Sequence, residues 1–377
     1  MNWQQSKLGN VVTISKGKKH SITEEGTRYL QIEDLRENPS IKFTSDNKGT
    51  LVDTNDIIIA WDGAHSGLVS YGLKGFIGST LARLKVSNKD IYTPFLGRYL
   101  QSKFLTIQAN RTGATIPHVN KDALCSLYIP LPPIEEQKRI AAILHKADAI
   151  RRKRKEAIAL TEELLRSTFL DMFDDPVTNP KGLKKASLEQ IADIITGYPF
   201  KSSSYVDSSE GVRLCRGANV LPDTLNWKDV CYWDKRDIQQ FEKFRLEKGD
   251  IVVALDRPWI SSGFKIALVS PQDVPAFLVQ RVARIRTRQK IFQNYLYFSL
   301  RHHAFERHCH PTETTVPHIS PTDLKTFPVL IPEMEKIDSF NSLVERQKKK
   351  LDRSHSQFNY LENLFNSLLQ KAFRGEL

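Results

Sequence analysis

Cysteine is scarce in this chain: there are four, Cys125, Cys215, Cys231 and Cys309, far apart and with no CxxC pair. That pattern argues against a disulfide framework and fits a reducing cytoplasm. No apolar run approaches the roughly 20 residues of a membrane span, so no membrane partner is expected. The opening residues MNWQQSKLGN lack the charged and apolar regions of a secretory signal. There is no GxxxxGK[ST] phosphate loop, which argues against ATP-driven work by this chain. No Gly-rich loop follows a strand in the manner of a nucleotide-cofactor cradle, and no Asn-Pro-Pro-aromatic motif for amino methylation occurs. Acidic residues are also short. The 377 residues carry 55 Lys and Arg against 43 Asp and Glu, for a net charge of +12. A surplus of that size points to a polyanionic partner, with double-stranded DNA the leading candidate.

What the chain does have is an internal repeat. TGATIPHVNKDAL (112–124) returns as TETTVPHISPTDL (312–324), keeping Thr115/Thr315, Pro117/Pro317, His118/His318 and Leu124/Leu324. From Thr112/Thr312 to Phe173/Phe373 the halves align without a gap at an offset of 200, and the apolar pattern is kept. Upstream the match continues with gaps. LGNVVTISKG (8–17) lies against LEQIADIITG (188–197), and LVDTNDIIIAWD (51–62) against RLEKGDIVVALD (245–256), which pairs Asp56 with Asp250 and Asp62 with Asp256. Repetition over so long a period governs the fold reading.

Each half reads as a mixed α/β unit followed by a long helix. The β-branched runs 56–60 and 250–254 predict buried strands, with their leading Asp as a turn cap. Stretches 93–102 and 294–303 predict short amphipathic helices. From Ile134, apolar residues recur at Ile140, Ile143, Leu144, Ala147 and Ile150 and resume from Ala157 to Met172; the second copy repeats this from Phe340 to Phe373. Forty residues of such spacing make about 60 Å of helix at 1.5 Å per residue. The stripe is best buried by pairing the two helices as an antiparallel coiled coil about a pseudo-twofold. The expected domains are 1–132 and 175–331 as heads, with 133–174 and 332–377 as helices.

Two similar basic heads on a spacer can read two targets at a set separation on DNA, and their divergence predicts unlike half-sites. PHVNKDALCSLYIPLPPIEEQKRIAAIL (117–144), LLRSTFLDMFDDP (164–176), YPFKSS (198–203), EKGDIVVA (247–254) and LLQKAFRGEL (368–377) resemble the specificity subunit of type I restriction–modification enzymes, over essentially the whole chain. The resemblance implies two target-recognition domains that read a bipartite, non-palindromic site. It also implies helices that bind two methyltransferase subunits, with restriction subunits joining them. The subunit itself would be non-catalytic and cofactor-free, with S-adenosylmethionine, ATP and Mg on its partners. Ile140, Ile143, Leu144, Leu343 and Val344 are the expected partner-binding residues. The second helix opens PEMEKIDSF where the first opens PPIEEQKRI, without counterparts of Gln137 and Arg139, so unequal docking of the two partners is expected. The rival reading is a coiled-coil adaptor or scaffold without sequence-specific DNA recognition. It accounts for the helices but not for the charge or the twin heads.

Base-contacting side chains are expected on loops that differ between copies. The first-head candidates are Lys18, Lys19, the loop Trp61 to Ser66 with His65, and the stretch Arg111, Thr112 to Thr115. In the second head they are Arg257, Trp259, Lys265, Thr312, Thr314 and Thr315. Arg and Lys suit guanine. The mid-helix basic runs, Arg151, Arg152 and Lys153 within 151–155 and Lys348, Lys349 and Lys350, are expected to meet phosphate. His118 and His318, common to both copies, read as structural or backbone-contacting. The cluster HHAFERHCHP (302–311) holds zinc-type ligands, but its spacing fits no common module and the first half lacks it, so no metal site is expected. Asp237, Glu247 and Lys248 are too loosely spaced to make a nuclease core.

Overall fold

In the computed structural model the described residues are 3–36, 40–175, 178–207, 211–309 and 318–377. They form two compact units, Met1–Ala157 with Ser354–Leu377, and Ile158–Arg353. Both long helices, Ile134–Phe173 and Met334–Arg374, contribute residues to both units.

The first unit centres on an antiparallel sheet ordered Val12–Lys16, Leu81–Val86, Asp56–Ala60, Val69–Tyr71. All five residues of Asp56–Ala60 are buried, and period-2 geometry divides them between two cores. Ile57 and Ile59 pack with Leu8, Leu96 and Leu100, while Ile58 and Ala60 pack with Leu30, Val52 and Ile77. The unbroken apolar run is therefore a strand covered on both faces. A second sheet, Phe43–Thr44, Thr27–Leu30, Gly75–Ile77, Leu51–Val52, lies on one side and includes one parallel pairing, Tyr29 opposite Phe76. The helix Thr93–Ser102 lies on the other side, where Leu96, Tyr99 and Leu100 join the first core.

The second unit repeats this plan. Its sheet runs Ala192–Thr196, Val282–Thr287, Ile251–Ala254, Ile266–Leu268. Ile251 and Val253 enter one core and Val252 and Ala254 the other. Here too a smaller sheet contains one parallel pair, Leu214 opposite Phe277, and the helix Phe292–Leu300 covers the opposite face. Each unit is closed by a strand pair, Gln4–Lys7 with Tyr128–Leu131 and Lys184–Ser187 with Pro328–Ile331. Asp56 accepts the Asp53 amide at 3.1 Å and Asp250 that of Glu247 at 2.7 Å, so both act as turn caps.

One crossing is built alike in both units. Gly17 donates to the Leu81 carbonyl and Gly197 to that of Val282. A Cβ on Gly17 would sit 2.2 Å from the Gly78 oxygen, and one on Gly197 2.3 Å from that of Val279. Only glycine lets the chain pass from the first sheet onto the second at this distance.

The long helices pair antiparallel in each unit. In the first, Ile140, Ala141 and Leu144 pack with Phe365 and Ala372, and Phe373 meets Phe95 and Tyr99 edge-on at 5.5 and 5.1 Å. In the second, Phe173 meets Tyr295 and Phe340 at 4.9 and 5.3 Å. The Tyr99 and Tyr295 hydroxyls donate to the carbonyls of Tyr128 and Leu330 in the closing strands. Thus Phe373 and Phe173, equivalents in the repeat, fasten helix to head by the same device.

This packing corrects the expectation for the apolar helix residues. Ile140 and Leu144 are fully buried and Val344 is 6% exposed, all inside their own units, while Ile143 and Leu343 are half-buried. A stripe that pairs two helices is not free for a third chain. Gln137 is also internal, 1% exposed. It accepts the Tyr92 amide at 2.9 Å and donates to the carbonyls of Asp90 and Pro132. Arg139 is tied to Glu136 and to the Leu377 carbonyl. In the second unit Asn341, one turn further along, donates to the Ile291 carbonyl and accepts from Asn294. The differing helix openings are therefore two versions of an internal clamp.

Asp148, 2% exposed, receives Arg98 at 2.7 Å and Arg151 at 2.7 Å, and Arg151 continues to Glu362 on the second helix at 2.6 Å. Burial alone would raise its pKa, but the hydrogen bonds from Arg98 and Arg151 outweigh burial and hold it below the usual carboxylate range. Asp148→Asn leaves the buried Arg98 guanidinium uncompensated and is expected to cost about 3 kcal/mol at neutral pH in thermal unfolding of the full chain. The lowered pKa contributes stability above the unfolded value of about 4, lost as pH falls through the lower folded value. The gap between wild type and variant should therefore narrow in acid; a constant gap would show that the charge is not the cause.

Candidate nucleic-acid interface

In each unit the residues at the end of the repeated Pro-His segment, His118-Val119 and His318-Ile319, dock at the end of the doubly buried strand. Val119 donates to the Trp61 carbonyl and Ile319 to that of Leu255, both at 2.9 Å, and Asp62 bridges His118 as Asp256 bridges His318. Three segments distant in sequence thereby share one edge of the first unit. Lys16 is 3.1 Å from the Asp62 carboxylate and its ammonium is 5.8 Å from the Trp61 ring centre. Gly63 donates to the Pro117 carbonyl, and Arg111 reaches the Ala64 carbonyl at 3.2 Å. Lys18 follows the Gly17 crossing, its amide on the Ile77 carbonyl.

The side chains on this edge divide by exposure. Lys18, Lys19, His65, Thr112 and Thr115 are exposed and Arg111 is half-buried. Trp61 at 7% and Ser66 at 0% are buried, which corrects their expected role as contacts. Trp61 belongs to the head's core, and Ser66 is closed off beneath the Gly63–Gly67 turn. Arg111 also bonds the Gln108 carbonyl, so part of its donor fork is spent on shaping the loop.

In the second unit Asp256 occupies the same corner. One carboxylate oxygen takes the Arg281 guanidinium at 2.9 Å and the other lies 2.9 Å from His318 Nδ1. Arg257 is exposed, in a left-handed backbone conformation with φ of 45°. Trp259 is half-buried and stacks on Phe264 at 5.2 Å. Lys265 is a correction: it is 9% exposed, directly after the hairpin that carries Trp259, with its amide on the Pro258 carbonyl. Burial pushes its ammonium below the ordinary lysine range, with Asp256 pulling upward and Arg257 adding to the drop. Thr312, Thr314 and Thr315 lie outside the described residues.

Sequence reasoning missed Lys16 and Arg281. The alignment places Thr196 opposite Lys16, and backbone hydrogen bonds from Trp61 to Thr80 and from Leu255 to Arg281 put Thr80 in the place of Arg281, so neither cation stands out as a shared or loop residue. An aromatic group around Phe200, Phe241 and Phe277, with Tyr198 and Trp233 at its margin, forms a core of its own in the second unit. YPFKSS supplies two of its rings.

On the helices, Arg151 is committed to Asp148 and Glu362, which corrects its expected freedom for phosphate. Arg152 is exposed but lies 3.1 Å from Asp148. Lys153, Lys348, Lys349 and Lys350 are exposed. The histidine-rich stretch is split by the fold. His308 lies against the Asp323 carbonyl and the Thr326 hydroxyl, and Cys309 is buried, its thiol pushed up to about 12 by desolvation. His310 lies outside the described residues. His302 and His303 come together with Asp175, their ligand-type atoms within 4.8 Å of one another. His302 Nδ1 accepts the Ala304 amide and so caps the helix His303–His308. Burial and the His303 charge hold its imidazole below the ordinary value. Asp237 accepts the Trp233 indole N–H and Glu247 pairs with Arg286, so two of the three residues Asp237, Glu247 and Lys248 have structural duties.

A family model described as the type I restriction modification DNA specificity domain matches residues 1–160 and 180–362. The MjaVIII specificity subunit of a type I restriction enzyme from Methanocaldococcus jannaschii is 30% identical over 96% of this chain and 92% of its own length. The EcoAI specificity subunit of Escherichia coli is 35% identical over 47% of this chain and 31% of its own. Among solved structures, the type I restriction–modification S subunit from M. genitalium covers 99% of this chain and 96% of its own, with a TM-score of 0.61 at 18% identity. A structure titled for complex assembly and conformational transition of a type I R-M system covers 100% of this chain and 98% of its own, with a TM-score of 0.52 at 19% identity.

The division by exposure predicts opposite outcomes for two kinds of lysine. Lys18→Gln with Lys19→Gln should bring the chain off heparin at lower salt, because exposed cations hold a polyanion through counterion release. Lys265→Met should leave elution unchanged and shift stability by less than about 1.5 kcal/mol, since a buried cation replaced by an apolar chain of similar volume is near neutral. Earlier elution of the Lys265 variant would show that its ammonium reaches the surface.

Proposed function

Because the chain belongs to the type I restriction–modification DNA specificity family, in which it is a non-catalytic DNA-recognition subunit, we propose that each of its two units reads one half of a split DNA site. The observation that carries this reading is that one architecture is built twice with its joints kept and its exposed edge changed. The doubly buried strand, the glycine crossing, the docking of His118-Val119 and His318-Ile319 and the Phe–Tyr fastening recur in both units. The polar side chains beside them do not: Lys18, Lys19, His65 and Arg111 in one, Arg257, Arg281 and Trp259 in the other. Unlike edges read unlike half-sites, so the combined site is non-palindromic.

On this reading the chain directs chemistry performed elsewhere. Adenine methylation belongs to two methyltransferase subunits and cleavage to restriction subunits, which bring S-adenosylmethionine, ATP and Mg. The surface open to those partners is the outer, polar side of the long helices, since their apolar side is already filled. No helix among the described residues is long and apolar enough to cross a membrane, and a DNA-directed role places the chain in the cytoplasm. Arg152 and Lys153 on one helix and Lys348, Lys349 and Lys350 on the other supply sequence-independent attraction for phosphate.

Long-read sequencing of source-cell DNA, with modified bases identified, tests the reading. A two-part methylated motif should be present with this gene and vanish on its deletion. Loss of a motif with one unbroken core would overturn the split-site reading. Replacing the five exposed helix cations by Gln should weaken binding of the assembled complex to all duplexes alike. The slope of log affinity against log salt should fall by about 1 for every phosphate that is no longer neutralised. An unchanged slope would remove those residues from the interface.

A further inference from the structure

Both units hold a cation against the carboxylate that follows the doubly buried strand, but they take it from different places. In the first unit Asp62 holds Lys16, the last residue of its strand. In the second Asp256 holds Arg281, and the residue in register with Lys16 is Thr196: Lys16 sits opposite Ala82, and Thr196 opposite Ala283. Conversely, Thr80 takes the place of Arg281 in the first unit. The Thr80 carbonyl accepts the Trp61 amide just as that of Arg281 accepts the Leu255 amide. The cation has moved from the end of one strand to the turn that opens its neighbour, yet it meets the same carboxylate.

Stability is a weak reason to keep such a pair. The Lys16 and Asp62 side chains are 52% and 28% exposed, those of Arg281 and Asp256 73% and 33%. Pairs this open contribute about 0–1 kcal/mol. An exposed carboxylate also repels DNA unless its charge is used to aim something. A fixed carboxylate that takes up one donor orients the remaining donors of its cation. Arg281 bonds Asp256 through Nη1, and Nε and Nη2 of its planar fork take no partner among the described residues. The same carboxylate's other oxygen is occupied by His318, from the Pro-His turn, so the aiming group is itself held.

We propose that Arg281 and Lys16 are specificity-determining residues, one for each half-site, and that Asp256 and Asp62 are the positioning residues that aim them at base edges. This rests on the split-site reading above and names side chains within it. A planar fork with two free donors matches the O6 and N7 acceptors of guanine in the major groove, and a lysine ammonium makes a less directional contact with the same atoms. The swap of cation and of strand gives each head its own geometry over one framework.

The test is the methylated motif in cells that carry the whole complex, with the wild-type chain or one variant. Arg281→Gln is expected to relax one position of one half-site, a guanine on one strand, and to leave the other half-site intact. Lys16→Gln should relax the other half-site alone. Asp256→Asn should relax the position governed by Arg281 to a smaller degree. With the purified complex, Arg281→Gln should weaken a cognate duplex about 5- to 150-fold, and a duplex already changed at that position much less. An unchanged motif, loosening of both half-sites together, or equal weakening of cognate and altered duplexes would overturn the proposal; the last would make Arg281 a phosphate contact. Arg281→Lys keeps the charge and the fold but lacks the fork, so a motif unaffected by it would overturn the bidentate assignment to guanine. A wild-type complex that methylates no two-part motif would overturn the underlying reading instead.

Discussion

The apolar stripe along two helices of 40 and 41 residues is the constraint on which the rest depends. A helix of that length cannot leave such a stripe in water, and each unit buries its portion in the same way: one helix covers the other, and the head's short helix covers both. Phe173 among Tyr295, Phe298 and Phe340, and Phe373 among Phe95, Tyr99 and Phe365, are where helix, partner helix and head become one core. Edge-to-face aromatic pairs of this kind contribute about 0.5–1.5 kcal/mol beyond the area they bury. They also fix direction. Once the ring of Phe173 or Phe373 is seated, the closing strand that receives the tyrosine hydroxyl has only one place to lie.

From that joint the loop edge follows. The closing strand leads back through a short helix to His118 and His318, and the residues after them lie along the end of the doubly buried strand. Backbone hydrogen bonds from Val119 and Ile319 make the placement independent of side-chain identity. The edge can vary because the framework beneath it is set by backbone pairing and by buried rings, neither of which changes when an exposed residue does. A recognition surface needs that separation between what holds the loop and what the loop offers.

Much of this is legible in the residues. The two α/β units, the long helices and their antiparallel pairing follow from the repeat and the apolar spacing, and the runs 56–60 and 250–254 announce strands covered on both sides. The helix expected at 294–303 is observed at Phe292–Leu300, a shift at a boundary where Ile291 gives no strong cap. Individual side chains are less legible, for two physical reasons. Sequence spacing does not tell which face of a loop is covered, so Trp61, Ser66 and Lys265 look like contacts although their turns fold over them. Nor does it show which strand neighbours will meet. Lys16 and Arg281 become equivalent only when two strands lie side by side, because their link is a shared carboxylate and not a shared alignment column. The apolar residues Ile140, Leu144 and Val344 mislead for a related reason. A stripe on a helix shows that something covers it, not whether the cover is the same chain.

The charge of the chain bears on the same point. An excess of twelve positive charges would serve any polyanion, and charge alone carries no sequence information. What distinguishes a reader from a basic surface is that some cations are restrained. Arg151 is restrained for structure, fixed by Asp148 and Glu362 inside a helix seam. Lys153 and Lys348 to Lys350 stand exposed on the helices, where attraction needs no fixed geometry. Lys16 and Arg281 fall between these cases: exposed enough to reach a partner, yet each held by one carboxylate at the end of a rigid strand. A restrained donor loses little further freedom on binding and rejects a misplaced acceptor. Lys16 and Arg281 thus combine exposure with a fixed aim, and they are also cations that the duplicated halves do not share.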